Sequence, residues 1–283
     1  MPDDQQPVTE EQQLPVAVVI PHAGLAVPPE VAGRVALSAA QIFNEADAYA
    51  DLLYDFRGRV LHWVCFPYAR AVVDVNRPDD PARTRPGDGI VKRQTSYGAP
   101  VFRPGQVPDA ALERQLIERY WRPWHAQLAA IAADPRVRLV IDAHSMAAAG
   151  PTLYDDPAAA RPRVSVSNLG RPDGTARPQR PLAAPPELTR QLAAALAAAL
   201  ADLPVLAVPG REVAINQPFY GGYDLWAHGG QQQPWCMVEV NRALYVGQQD
   251  GETAVSPPRL AYIAPLRERL WQAFVAGVEG MMG

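Results

Sequence analysis

The sequence predicts an α/β fold, a layered sandwich of helices around a mixed, largely parallel β-sheet. Two observations point there. Short apolar runs rich in β-branched residues alternate with longer segments of helical spacing, the pattern of strands covered on both faces by crossover helices. The chain is also long enough, at 283 residues with 48% hydrophobic residues, to bury a sizeable core.

Taken in order, residues 1–14 are polar and acidic and read as a disordered tail ahead of one domain over 15–283. Val16–Ile20 is the first predicted strand, Leu61–Phe66 a weaker second, Ala71–Val75 a third, and Leu139–Ile141, Val205–Val208 and Met237–Val240 complete the sheet. Pro28 and Pro29 open a helix bearing Val31, Val35 and Ile42. Residues 109–133 read as helix, with Pro123 expected to kink or split it. Leu188, Leu192, Leu196 and Leu200 line one face of a helix begun by Pro185 and Pro186, and Leu260, Ile263, Leu270, Phe274 and Val278 mark a C-terminal helix. The 30 prolines concentrate in three stretches. The longest, 151–186, reads as an irregular Pro/Arg-rich excursion of the functional kind.

A net charge of −4 and a pI near 5.8 argue against a protein that coats nucleic acid or an anionic membrane. No run approaches the roughly 18 apolar residues of a membrane span, and the N-terminus is unlike a signal peptide, so the expected location is the cytoplasm. Cys65 and Cys236 are the two cysteines, too few and too far apart for a disulfide framework or a thiolate zinc site.

In open α/β sheets ligands gather at the carboxyl ends of strands. His22 follows V-A-V-V-I-P, and His144 follows L-V-I-D-A, so two of the five histidines occupy matching strand-end positions. Each is followed by small residues that leave room for a metal and a substrate. Neutral imidazole is the commonest zinc ligand, and a catalytic zinc takes three protein groups plus water. Glu30, Asp47, Asp142 and Glu239 are the carboxylates within range of strand ends. Asp142 is read equally as a partner orienting His144 and as a buried carboxylate satisfied by backbone N–H groups. Glu239 interrupts the apolar run W-C-M-V-E-V-N-R. A carboxylate there is costly unless paired, for instance with Arg242, or used as a general base of raised pKa. V-N-R occurs at 75–77 and again at 240–242. Arg70, Arg77 and Arg242 supply planar guanidinium groups suited to carboxylates, or else structural salt bridges to Asp79, Asp80 or Asp142. N-Q-P-F-Y-G-G-Y at 216–223 is a glycine-rich aromatic loop able to cap a site.

Taken together, these segments resemble the N-formylglutamate amidohydrolase family. The likeness runs through I-P-H-A-G (20–24), P-P-E (28–30), D-A-Y-A-D-L-L-Y (47–54), V-D-V-N-R-P (73–78), S-Y-G-A-P-V-F (96–102), P-W-H (123–125), D-A-H-S-M (142–146), N-Q-P-F-Y-G-G-Y and V-E-V-N-R-A-L-Y (238–245). It spans nearly the whole chain, in family order. The resemblance implies a zinc-carboxypeptidase-like α/β/α fold and hydrolysis of N-formyl-L-glutamate to formate and L-glutamate, in histidine degradation. It implies one Zn2+ held by His22, His144 and a carboxylate, with Asp47 preferred to Glu30, and Glu239 as the catalytic carboxylate. In that reading Arg77 or His125 assists at the oxyanion, and Arg70, Arg77 and Arg242 grip substrate carboxylates. Asn76, Tyr223 and Asn216 contact the rest of the substrate. The chain departs from the family pattern at Leu52, where an Arg is common, and in the composition of residues 155–185, both of which bear on the substrate. Two other readings stand beside it. One is the same chemistry on another N-acyl amino acid or a short peptide; the other is a metal-free binding protein for an acidic metabolite, which requires His22 and His144 to lie too far apart to share an ion.

Overall fold

The computed structural model describes residues 13–203, 213–247 and 249–282. Six strands form one sheet in the order β2-β1-β3-β6-β4-β5: β1 (Leu14–Ile20), β2 (Val60–Cys65), β3 (Leu139–Met146), β4 (Val164–Ser167), β5 (Val213–Ile215) and β6 (Trp235–Asn241). Pairing is parallel between β1 and β2, β1 and β3, β3 and β6, and β4 and β5, and antiparallel between β4 and β6. The sheet is thus mixed and mostly parallel, as the sequence predicts.

Both faces are covered. Val16, Val18, Ile20, Ile141, Ala143, Val238 and Val240 pack into one core with α2 (Ala50–Leu53), α5 (Pro186–Leu200) and α7 (Leu260–Met282). Ala17, Val19, Val140, Trp235 and Met237 face the other core, with Leu116 of α3 (Ala110–Leu116) and Leu128 of α4 (Arg122–Ala133). Burial on two faces explains why the central strands read as continuous apolar runs. On the second face the pattern changes along the strands. Val140 is followed by Asp142 and His144, and Met237 by Glu239, two residues apart and so on the same side. The apolar layer therefore ends in polar groups at the carboxyl edge.

Several expectations need correction. Ala71–Val75 is buried but is not a strand. Its backbone turns, with Val72 N–H donating to Ala69, Asp74 N–H to Ile90, and Val72 carbonyl accepting from Lys92. The helix expected from Val31 begins only at Ala39 (α1, Ala39–Glu45), where Ser38 and Gln41 form a reciprocal cap. Before it, Ala36 N–H is drawn to the Val101 carbonyl and Val35 bridges Phe102. Pro123 does not break the helical segment. A π turn over Ile117–Trp121, closed by Arg122 N–H on the Ile117 carbonyl, precedes it and sets Pro123 in the first turn of α4, where a missing N–H is tolerated. The excursion contains β4, and β5 follows at Val213–Ile215, both where the sequence pattern predicts no strand. Val205–Val208 lies outside the described residues, as does residue 1–12 of the expected tail, whereas Leu14 already belongs to β1. No described helix is long and apolar enough to cross a membrane.

Candidate metal centre and active site

At the carboxyl ends of β1, β3 and β6 lies a cavity of about 120 Å³ lined by His22, Asp47, His144 and Glu239 together with Arg70, Arg77, Arg161 and Arg242. Strand register builds its floor, because His144 of β3 sits directly opposite Glu239 of β6. Tyr54, at the end of α2, locks these two strands from beneath by donating to the carbonyls of His144 (3.0 Å) and Val238 (3.1 Å). His22 enters from the loop after β1, which runs so close to the chain after β2 that a Cβ on Gly24 would lie 2.2 Å from the Pro67 carbonyl carbon.

Asp47 joins the two histidines. The Asp47 N–H donates to the His22 carbonyl (3.0 Å), and its Oδ2 lies 3.0 Å from His144 Nδ1 and 3.9 Å from His22 Nδ1 while accepting from Ser145 N–H (3.1 Å). One ligand atom from each of His22, Asp47 and His144 falls within 4.8 Å of the others, and all three residues are buried. Glu30 is elsewhere, accepting from Tyr120 and pairing with Arg119. The distance condition for a metal-free binding protein therefore fails.

Each histidine is backed by a carboxylate on its far nitrogen. His22 Nε2 lies 2.8 Å from Asp74 Oδ1, and His144 Nε2 lies 3.0 Å from Asp142 Oδ1. This arrangement fixes ring orientation and turns Nδ1 toward the cavity. Asp142 stands at ion-pair distance from His144, and neither of its oxygens has a hydrogen-bond partner among the described residues. Asp74 was not foreseen as a site residue. It anchors His22, Arg70 (2.8 Å), Arg77 (3.4 Å) and the Asn76 N–H (3.0 Å) at once. Its place inside V-D-V-N-R was the available signal. Burial would raise its pKa, but Arg70, Arg77 and His22 hold the carboxyl well below its ordinary value.

Electrostatics separates the two imidazoles. Burial, then the Arg70 charge, pushes His22 down to about 3, so it is neutral. Burial also opposes charge on His144, yet the Asp142, Asp47 and Glu239 carboxylates override it and hold its pKa well above the ordinary value. Burial would raise Asp47, but the hydrogen bond and charge of His144, with His22 and Arg70, bring it to about 2. Glu239 is pushed up to about 7, chiefly by burial, and its Oε2 has no hydrogen-bond partner among the described residues.

The remaining predicted residues divide. Arg70 and Arg77 line the cavity, their partners being Asp74 and Asp88 rather than Asp79, Asp80 or Asp142. Arg242 lines it too, but donates to the carbonyls of Asn44 and Ala46 just before Asp47, not to Glu239. Asn76 lines the cavity as well, its Oδ1 accepting from Asp224 N–H and its Nδ2 lying 3.3 Å from His144 Nε2. His125, Tyr223 and Asn216 do not line the cavity. His125 donates from Nε2 to the Val75 carbonyl and accepts at Nδ1 from His228, and burial lowers both imidazoles to about 4. Tyr223 stacks on Trp121 and Trp226. Asn216 binds Asn168 and the Arg171 carbonyl. From the glycine-rich loop it is Phe219, Gly221 and Gly222 that reach the cavity, and from the excursion Pro151, Tyr154 and Arg161.

A mixed α/β sandwich with two histidines and a carboxylate converging at the carboxyl edge of its parallel strands, beside a buried glutamate whose Oε2 has no hydrogen-bond partner among the described residues, defines the class to which the chain is to be compared. The family model for N-formylglutamate amidohydrolase matches residues 14–246, and the chain belongs to that family. It is 28% identical over 248 residues to an N-formylglutamate deformylase of Pseudomonas aeruginosa, covering 84% of each chain. It is 31% identical over 150 residues to one of Pseudomonas putida, covering 50% of this chain and 56% of the relative. The fold is also that of the N-formylglutamate amidohydrolase from Ralstonia eutropha JMP134, with a TM-score of 0.69 at 20% identity over 95% of this chain and 96% of the other.

Proposed function

We propose that the chain hydrolyses the amide of an N-acylated acidic amino acid, N-formyl-L-glutamate first, to release formate and L-glutamate. The observation that carries this reading is the His22–Asp47–His144 cluster beside Glu239, whose Oε2 has no hydrogen-bond partner among the described residues, in a cavity lined by arginines. The names of the similar proteins support it. The donor set fits a divalent metal. Two imidazoles and a carboxylate are ligands zinc accepts, and His22 Nδ1 is a buried nitrogen with no hydrogen-bond partner among the described residues. His22, Asp47 and His144 would hold the ion, and a zinc there would supply Lewis-acid polarisation of the acyl carbonyl and lower the pKa of a water toward about 7.

The protein's own residues do the rest. Glu239 takes the proton of the attacking water and returns it to the leaving nitrogen, a double duty that suits a carboxyl raised to about 7. Arg77, held by Asp74 and Asp88, offers fixed positive charge to the developing oxyanion. Arg70, fixed by Asp74, faces the α-carboxylate. A cavity of about 120 Å³ suits one amino acid with a one-carbon acyl group better than a peptide. Incubation with N-formyl-L-glutamate is expected to yield formate and L-glutamate in equal amounts; products other than these, or none, contradict the assignment.

A further inference from the structure

The excursion contributes one charged side chain to the cavity, Arg161, and its setting differs from that of the other arginines. Its side chain is 3% exposed, with the guanidinium carbon 4.8 Å from the Phe219 ring and 5.3 Å from the Tyr154 ring. One edge, Nε and Nη2, donates to the two oxygens of Asp156 at 2.8 and 2.9 Å. Nη1 has no hydrogen-bond partner among the described residues. The backbone is pinned as well, Arg161 N–H donating to the Ala148 carbonyl and the Arg161 and Pro162 carbonyls accepting from Asn241 at the end of β6. Two aromatic rings and a carboxylate thus hold a flat cation in one plane, the preorganised form in which guanidinium recognises a carboxylate.

The other arginines have different places. Arg70 and Arg77 share Asp74 with His22 and so stand next to the reacting centre. Arg242 is bound to the carbonyls that lead into Asp47. Arg161 enters from the excursion; its charge is felt by Glu239, but it makes no hydrogen bond to any of the cluster residues among the described residues.

We infer that Arg161 sets the specificity of this pocket by gripping the side-chain carboxylate of a dicarboxylic N-acyl amino acid, leaving Arg70 and Arg77 to the groups flanking the scissile amide. The inference rests on the hydrolase reading for its substrate but has a test of its own. N-formyl-L-glutamate and N-formyl-L-glutamine differ only in the group Arg161 would hold, and the ratio of their kcat/KM values in one preparation is independent of how much protein is folded. Arg161→Gln is expected to reduce that ratio by about 50-fold, the worth of a charge-assisted hydrogen bond, through KM for the glutamate substrate with kcat kept within about threefold. Arg161→Lys, charged but unable to bind in two-pronged fashion, is expected to fall between. A ratio unchanged in Arg161→Gln, or an equal loss on both substrates, overturns the inference. If the wild type hydrolyses neither compound, the hydrolase reading fails, and calorimetric titration with L-glutamate and L-glutamine decides the role of Arg161. Loss of glutamate affinity alone in Arg161→Gln upholds it. Unchanged glutamate affinity, parallel loss of both, or no glutamate binding by the wild type rejects it.

Discussion

Glu239 lies in a strand buried on both faces, a position where an ionised carboxylate costs several kcal/mol unless paired, and Arg242, the obvious cation, is turned away from it toward the Asn44 and Ala46 carbonyls. A residue kept in so unfavourable a place makes two linked predictions. As the proton carrier it should be indispensable: Glu239→Gln is expected to lower kcat by about 10²–10⁴-fold while leaving bound zinc unchanged. Because the group works ionised, kcat/KM of the wild type should fall on acidification, along a limb whose midpoint lies above the ordinary 4.5 of glutamate and no higher than about 7. The same raised pKa bears on stability with the opposite sign. An acid whose folded pKa exceeds its unfolded one destabilises the fold as pH rises through that interval. Metal-free Glu239→Gln should therefore melt above wild type at pH 8, by up to about 3 kcal/mol, and near it at pH 5. A variant that keeps its activity, or gains no stability at pH 8, contradicts the role assigned to Glu239.

At the scale of elements, the site is a product of strand register and loop contact. β3 and β6 place His144 against Glu239, and the segment after β1 returns to Asp47 through one backbone hydrogen bond. α6 (Tyr223–His228) reaches the centre through Asn76, whose side chain accepts from Asp224 N–H and faces His144. A Cβ on Gly222, just before α6, would lie 2.3 Å from Asn76 Nδ2. Gly222→Ala is expected to cost about 1–3 kcal/mol, as overpacking does, and to lower kcat by displacing a neighbour of His144; thermal melts and formate assays that match wild type would show that Asn76 moves freely. This scale also shows what a sequence makes legible. His22, His144 and Glu239 stood out because polar residues at the ends of β-branched runs are conspicuous. Ala71–Val75 reads as a strand because an apolar run signals burial, and burial without pairing looks the same in sequence. β4 escaped notice because Val164–Ser167 alternates valine with serine inside a Pro/Arg-rich stretch, and Ser165 and Ser167 are as buried as its valines. Asp142 is legible as a partner of His144 because it lies two residues away, whereas Asp74 is 52 residues from His22, and no local pattern encodes such a pairing. Arg161 was hidden for the same reason, its role set by Phe219, far along the chain.

Across the whole molecule, the cluster draws ligands from three separate parts of the chain: the exit of β1, the segment after α1, and β3. A metal bound there adds a further tie among elements already joined by the β1–β3 pairing and by Asp47, and a ligand that binds the folded state stabilises it by about 4 kcal/mol at a thousandfold excess over its Kd. Chelation should therefore lower the melting temperature as well as abolish turnover. The most direct test is elemental analysis of wild type beside His144→Ala, each assayed for formate release from N-formyl-L-glutamate. The expected result is one zinc per wild-type chain with turnover, and loss of both in the variant. A wild type that hydrolyses the substrate without metal, or binds none after reconstitution, would contradict the account.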